Sequence, residues 1–229
     1  MTGAALRAIE VSRVHGSGPS AVHGCRNVNL AVSAGELLAI TGPSGAGKTT
    51  LLNLLGGLDR PTTGQVILDS ADLAAMSERQ LVYLRRNRIG YLFDSPGLIP
   101  ILSAAENVEA PLRLLYVWPR ERRARVAELL DLVGMGDRGD SSPAELSPQQ
   151  QQRVALARAL ACEPDLLIAD EPVSRLDPPA GRSIMELICL LVRQRAITAV
   201  VATAETEPPD WADRVLELRD GRLPYATTA

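Results

Sequence analysis

Leu37–Leu55 reads LLAITGPSGAGKTTLLNLL. Its apolar start predicts a buried strand, Gly42–Thr49 spell G-x-x-x-x-G-K-T, and a leucine-rich helical segment follows. Strand, glycine loop and helix in that order make a P-loop. The spelling has a physical reason. Gly42, Pro43, Ser44, Gly45, Ala46 and Gly47, with Lys48, Thr49 and Thr50 at the helix start, would wrap a triphosphate. Glycine spares a Cβ where backbone approaches an anion. The helix offers its positive end to the same group. Lys48 would reach the β- and γ-phosphates as a catalytic cation, and the Thr49 hydroxyl would hold Mg²⁺. Among 24 basic side chains Lys48 is the only lysine, and all the others are arginine. A compact ammonium is retained where phosphates need one.

The chain has 229 residues, enough to bury a full core. It is 46% hydrophobic and 22% charged, the balance of a soluble globular protein. A net charge of −3 gives no reason to expect nucleic acid as a partner. Cys25, Cys162 and Cys189 are scattered without metal-ligand spacing, which suits a reducing cytosol. The N-terminal MTGAALRAIEV has no apolar h-region. No run of about 18 apolar residues could span a membrane. Arginine in place of lysine, with much alanine, points to a GC-rich bacterial genome.

Before the P-loop, LRAIEVSRV and VNLAV predict strands around the polar loop HGSGPSAVHG. After it, Gly56-Gly57 ends the helix and Gln65–Asp69 predicts a strand. Ser77–Arg88 predicts a helix opened by a Ser77/Gln80 capping box, followed by the short strand Ile89–Phe93. From Ser103 to about Leu160 the pattern is helical. Val126, Leu129, Leu130 and Val133 make one apolar face, and Arg120–Arg125 the solvated side. Pro143 and Pro148 punctuate the entry to a helix over Gln149–Leu160. Strand character returns at Asp165–Asp170, then a helix over Pro179–Arg195, a strand at Thr198–Ala202 and a hairpin around Asp220-Gly221. LLIADE, residues 166–171, puts Asp170 at the C-terminal end of a strand, the edge where open α/β sheets bind ligands. Asp170 would hold Mg²⁺, and Glu171 would polarise the attacking water.

Gly42–Thr49, LSPQQQQRVALARAL (146–160) and LLIADEPVSRLD (166–177), in that order, resemble the ATP-binding cassette ATPases. The resemblance covers nearly the whole chain. It is closest to cassettes of the lipoprotein-release, macrolide-export and cell-division branch, with LRRNRIGYLF and LIPILSAAENVEAPL similar to that branch. It implies an α/β P-loop NTPase with a RecA-like core, an antiparallel β subdomain and an inserted helical subdomain. The whole chain, 1–229, would be one nucleotide-binding domain, with its core at 1–93 and 162–229 and its helical part at about 94–161. It also implies a head-to-tail homodimer, or a heterodimer with another cassette ATPase, sandwiching ATP and Mg²⁺. An integral-membrane permease would be the further partner. The chain would then be cytoplasmic, held at the inner face of the membrane through that permease. Leu98, Ile99, Ile101 and Leu102 fall where the family docks it. Asp177 matches the aspartate that crosses the dimer, and His15 lies where an aromatic often stacks on adenine.

Three family positions depart from the pattern. The signature, usually Leu-Ser-Gly-Gly-Gln, is Leu146-Ser147-Pro148-Gln149-Gln150. Ser147 and Gln150 still make a capping box with Pro148 in the favoured first helical position. As a phosphate clamp it is poorer. Pro148 lacks an N–H, and losing one preorganised donor costs about 10²–10³ in rate. The glutamine expected after IGYLF is Asp94, which would repel the γ-phosphate, ligate Mg²⁺ directly, or face solvent. The switch histidine is replaced by Ala204, removing a contribution of about 10²–10⁴. Glu205, next to it, cannot donate when ionised. His15 and His23, the only histidines, both precede the P-loop. The chain is therefore expected to bind Mg-ATP and hydrolyse it slowly, as a transporter subunit or as a nucleotide-gated regulator with little turnover.

Overall fold

The computed structural model describes residues 3–204 and 209–223. In chain order the elements begin with β1 (Leu6–His15), β2 (Val22–Val32), β3 (Leu37–Thr41), α1 (Lys48–Leu55), β4 (Thr63–Leu68), β5 (Ala71–Asp72), α2 (Glu78–Arg88) and β6 (Ile89–Leu92). Three helices follow, α3 (Ala104–Leu114), α4 (Pro119–Leu132) and α5 (Pro148–Leu160). The chain then runs through β7 (Leu166–Asp170), α6 (Pro178–Arg195), β8 (Thr198–Ala202) and β9 (Arg214–Glu217).

Two sheets result. An antiparallel sheet has the order β2-β1-β4-β5, and a five-stranded parallel sheet the order β6-β7-β8-β3-β9. The parallel strands are covered on both faces, which is why they read as apolar runs without alternation. Leu38, Ile40, Leu166, Ile168, Val200 and Ala202 pack with α1, α2 and the antiparallel sheet. Their neighbours in sequence, Leu37, Leu167, Ala169, Ala199 and Val201, pack with α3, α4, α5 and α6. Burying a leucine or isoleucine fully is worth about 1.5–3 kcal/mol, so these strands are the fold's principal anchor.

The capping boxes form as read. Ser77 accepts from Gln80 N and the Gln80 side chain accepts from Ser77 N, and Ser147 and Gln150 make the same exchange; a further box, not expected from the sequence, links Ser103 with Glu106 at the start of α3. Val126, Leu129, Leu130 and Val133 are all buried.

Several expectations are corrected. The loop HGSGPSAVHG is shorter than expected, because His15 pairs with Val22 and Val14 with His23, extending the β1–β2 ladder into it. Only residues 16–21 remain outside the strands, with a single 3₁₀ turn at Gly18–Ser20. The expected C-terminal hairpin is mostly not one. Arg214–Glu217 joins the free edge of β3 in parallel, with Ala39 opposite Val215 and Ile40 opposite Leu216. The turn at Asp220-Gly221 does reverse the chain, with positive φ at both residues, but it closes only the single Arg219–Arg222 bridge. The Arg120–Arg125 face is not uniformly solvated. Arg122 pairs with Glu109 at 2.7 Å, and Arg125 with Glu128 at 3.0 Å and Glu163 at 3.1 Å.

Candidate nucleotide site

Four neighbouring strands deliver the site. At the C-terminal edge of the parallel sheet, β6 leads to Asp94, β7 ends in Asp170, β8 leads to Ala204 and β3 leads into the P-loop. This is the edge where open α/β sheets bind ligands.

The P-loop bends through positive φ at Gly42 (147°), Gly45 (80°) and Gly47 (100°). The need for glycine has a cause beyond the ligand. A Cβ on Gly42 would lie 2.3 Å from the Leu218 carbonyl oxygen, and one on Gly47 would lie 2.0 Å from that of Gly24. The loop is thus clasped between β2 and the turn after β9, and Gly221 N–H donates to Ala46 O at 2.9 Å. Only at Gly45 would a Cβ meet open space. Pro43, Ser44 and Gly45 are exposed, Ala46 is buried, and Thr50 packs against Gly24 on β2. Cys25, beside the loop, is buried, and its thiol is pushed up to about 12 by that burial, so it is inert packing.

Lys48 opens α1 and is 5% exposed. Its Nζ donates to Gly42 O at 2.7 Å and Pro43 O at 3.2 Å, and lies 3.1 Å from Glu171 Oε1. The lone lysine therefore ties the loop to the carboxylate that follows β7. Glu171 sits in the left-handed region, with φ of 46°, and its N–H donates to Ala202 O.

The Thr49 hydroxyl is a near neighbour of the Asp170 carboxylate. Burial pushes the Asp170 carboxyl above its usual range; Glu171 and Asp94 push the same way, against Thr49 and Lys48. Asp170 Oδ1 is buried without a hydrogen-bond partner. A buried carboxylate oxygen without a donor, beside a threonine hydroxyl, is the oxygen set a hard divalent cation takes, so these residues fit Mg²⁺. Among the described residues no three His, Cys, Asp or Glu side chains converge as a metal cage. Asp94, Asp170 and Glu171 are thus electrostatic neighbours and not a three-acid cluster. Such a sparse set suits a Mg²⁺ that keeps its waters and phosphate ligands.

The other expected residues are scattered around this centre. Asp94 Oδ2 accepts from Arg175 Nη2 at 2.8 Å and Nε at 3.1 Å. Asp177 is exposed and caps α6, accepting from Ala180 N–H at 2.9 Å. Ser147 and Gln150 are engaged with each other: the serine Oγ accepts from Gln150 N–H, and Gln150 Oε1 from Ser147 N–H at 2.9 Å. Pro148 is the first residue of α5. His15 is exposed at the end of β1. Glu171, Asp177, Thr203 and Ala204 line one end of a cleft of about 1310 Å³ that runs along α6 to Met185, Cys189 and Trp211. Glu205 lies outside the described residues. Leu98 packs on the core, while Ile99 and Ile101 are exposed.

Gln152 is a site residue that the sequence reading missed. It is 2% exposed, and its Nε2 donates to Phe93 O at 2.9 Å and Pro172 O at 2.7 Å. One side chain of α5 thus holds both the segment before Asp94 and the segment after Glu171. Its signal was weak: a glutamine on the buried face of a helix, hidden in a run of four. Arg158 anchors the same loop, donating to Pro96 O and Gly97 O at 2.7 Å each.

A strand-borne P-loop, an acid pair on a strand of the same sheet and helices on both faces define a P-loop nucleotide-binding protein. The ABC transporter family model matches residues 25–174, and the chain belongs to that family. It is 43% identical over 218 residues to an ABC transporter ATP-binding protein of Thermotoga maritima, covering 95% of this chain and 93% of that one. It is 42% identical over its full length to the macrolide export ATP-binding/permease protein MacB of Brucella melitensis, of which it spans 35%. Among solved structures it is similar to the dimeric ATP-binding cassette MJ0796 of Methanocaldococcus jannaschii bound to ADP and Pi. That match has a TM-score of 0.87 and 37% identity over 95% of this chain and 96% of that one. The fold is therefore that of an ABC ATPase cassette, and the relatives of this chain are ATP-binding subunits or domains of transporters.

Proposed function

We propose that this chain binds Mg-ATP at the interface of a cassette dimer and drives or gates a separate membrane permease, with slow hydrolysis. The observation that carries the binding half is the Lys48, Thr49, Asp170 and Glu171 arrangement, with its unpartnered Asp170 oxygen. Mg²⁺, when bound, neutralises charge on the phosphate oxygens. Lys48 carries a fixed positive charge for the phosphates and ties the loop to Glu171. Asp170 and Thr49 offer oxygens to the metal. Glu171, at the mouth of the cleft, is the acceptor for a proton from an attacking water. Residues 94–161 act as the helical part of this single domain, and the exposed Ile99 and Ile101 suit the permease contact. MacB joins a cassette to a permease, which supports a permease partner here. The place of work is then the inner face of the membrane; among the described residues no helix is long and apolar enough to cross it.

Slow turnover rests on Ala204, which brings no imidazole to the end of the cleft beside Glu171, and on Pro148, which brings no N–H to the start of α5. The same two residues favour a second reading, a nucleotide-gated regulatory subunit with almost no turnover. ATP titration of the purified chain with and without Mg²⁺ tests the binding claim. Saturable, Mg²⁺-dependent binding is expected, and its absence would refute both readings. Phosphate release by the complex with its permease separates them. Turnover near the enzyme median of about 10 s⁻¹ would end the regulatory reading.

A further inference from the structure

Asp94 and Arg175 lie 81 positions apart in sequence, on the loops that leave the adjacent strands β6 and β7. Both are polar tips at the nucleotide edge, with side chains 46% and 64% exposed. Two guanidinium nitrogens reach one carboxylate oxygen, Oδ2, and neither bonds Oδ1. The Asp94 charge is felt at Asp170, whose carboxyl it helps push upward. Without Arg175 the edge would present Asp94, Asp170 and Glu171 to an incoming polyphosphate against the single ammonium of Lys48. The backbones on either side are already pinned by Gln152, through Phe93 O and Pro172 O. The ion pair is therefore not needed to hold the loops together; its distinct contribution is charge and the direction of the Asp94 side chain.

We propose that Arg175 is a positioning residue of the nucleotide site, holding and neutralising Asp94 so that ATP can approach, and yielding Asp94 only in competition with the metal-nucleotide. The inference rests on the reading of Thr49 and Asp170 as the Mg-ATP grip. Its consequence is a ratio: Arg175 sets how much tighter ATP binds with Mg²⁺ than without it. Removing Arg175 exposes an uncompensated carboxylate. Metal-free ATP should then bind more weakly, while Mg-ATP, which brings its own cation to Asp94, should lose little.

The experiment is equilibrium binding of a fluorescent ATP analogue to the full chain, with Mg²⁺ and with EDTA. The variants are Arg175→Ala, Arg175→Lys, Asp94→Asn, the Asp94→Asn/Arg175→Ala double and Asp170→Asn. Both members of the pair are substantially exposed, so their variants are expected to fold. Arg175→Ala should raise the ratio by about three- to fivefold, the scale of an exposed ion pair. Arg175→Lys should restore part of it, and Arg175→Ala should have no effect on top of Asp94→Asn. An unchanged ratio in Arg175→Ala, or additive effects in the double variant, would overturn the proposal. Asp170→Asn distinguishes the two levels. If it abolishes the Mg²⁺ dependence while Arg175→Ala changes nothing, Arg175 alone was misread. If it keeps the wild-type ratio, the Mg-ATP grip is refuted and the inference with it.

Discussion

At the scale of single residues, Lys48 connects the two halves of the site. It is buried, satisfied by two loop carbonyls, and in contact with Glu171. Binding a polyphosphate therefore redirects an ammonium that is already held in place, at little ordering cost. Lys48→Ala should weaken ATP binding about 10- to 100-fold, the worth of one or two charge-assisted hydrogen bonds, as measured by titration. Lys48, Thr49, Asp170 and Glu171 were legible because local spelling and strand position identify them. Arg175 and Gln152 were not, since their roles come from partners 81 and 59 positions away. The P-loop glycines were half legible. Their spacing predicted the loop, but the close approach of the Leu218 and Gly24 carbonyls comes from elements far along the chain.

At the scale of elements, α5 carries more than the altered signature at its start. Gln152→Leu keeps an apolar helix face but strips the donor from the Phe93 and Pro172 carbonyls. Leaving the buried Pro172 acceptor bare costs about 1–3 kcal/mol, so a lower denaturation midpoint is expected together with weaker ATP binding. Gln149→Ala, at a half-exposed side chain, should leave stability within about 0.5 kcal/mol. Between α3 and α4 the fold uses charge. Glu109 accepts hydrogen bonds from Arg122 and Arg113, which hold its carboxyl below the ordinary 4.5. A lowered native value means stabilisation that is complete above about pH 4.5 and is lost as pH falls through the native value. Glu109→Gln should accordingly flatten the acid limb of the stability–pH curve while leaving the neutral limb's slope unchanged. Helices and caps were legible here because their signals lie within four residues. The Glu109–Arg122 pair was not, because it joins two helices whose packing the sequence does not spell out.

At the scale of the whole molecule, one sheet edge gathers everything the function needs. The order β6-β7-β8-β3 sets Asp94, Asp170, Ala204 and the P-loop side by side from segments spread over more than half the chain. The existence of these strands could be read from apolar runs, but their neighbours could not. β9 illustrates why: VLELRDGRL has hairpin chemistry at Asp220-Gly221, yet its first part pairs with β3 because that edge is open. The family match explains the architecture, and the departures set this chain's expected behaviour within it. The proposed function is an intact grip on Mg-ATP joined to a damaged hydrolytic edge. Phosphate release at saturating Mg-ATP, from the wild-type chain and from Pro148→Gly/Gln149→Gly/Ala204→His, tests it most directly. Slow wild-type turnover is expected, with at least a roughly tenfold gain in the restored chain, the low end of what donors and an imidazole contribute. Wild-type turnover already near about 10 s⁻¹, or a restored chain no faster than wild type, would contradict it.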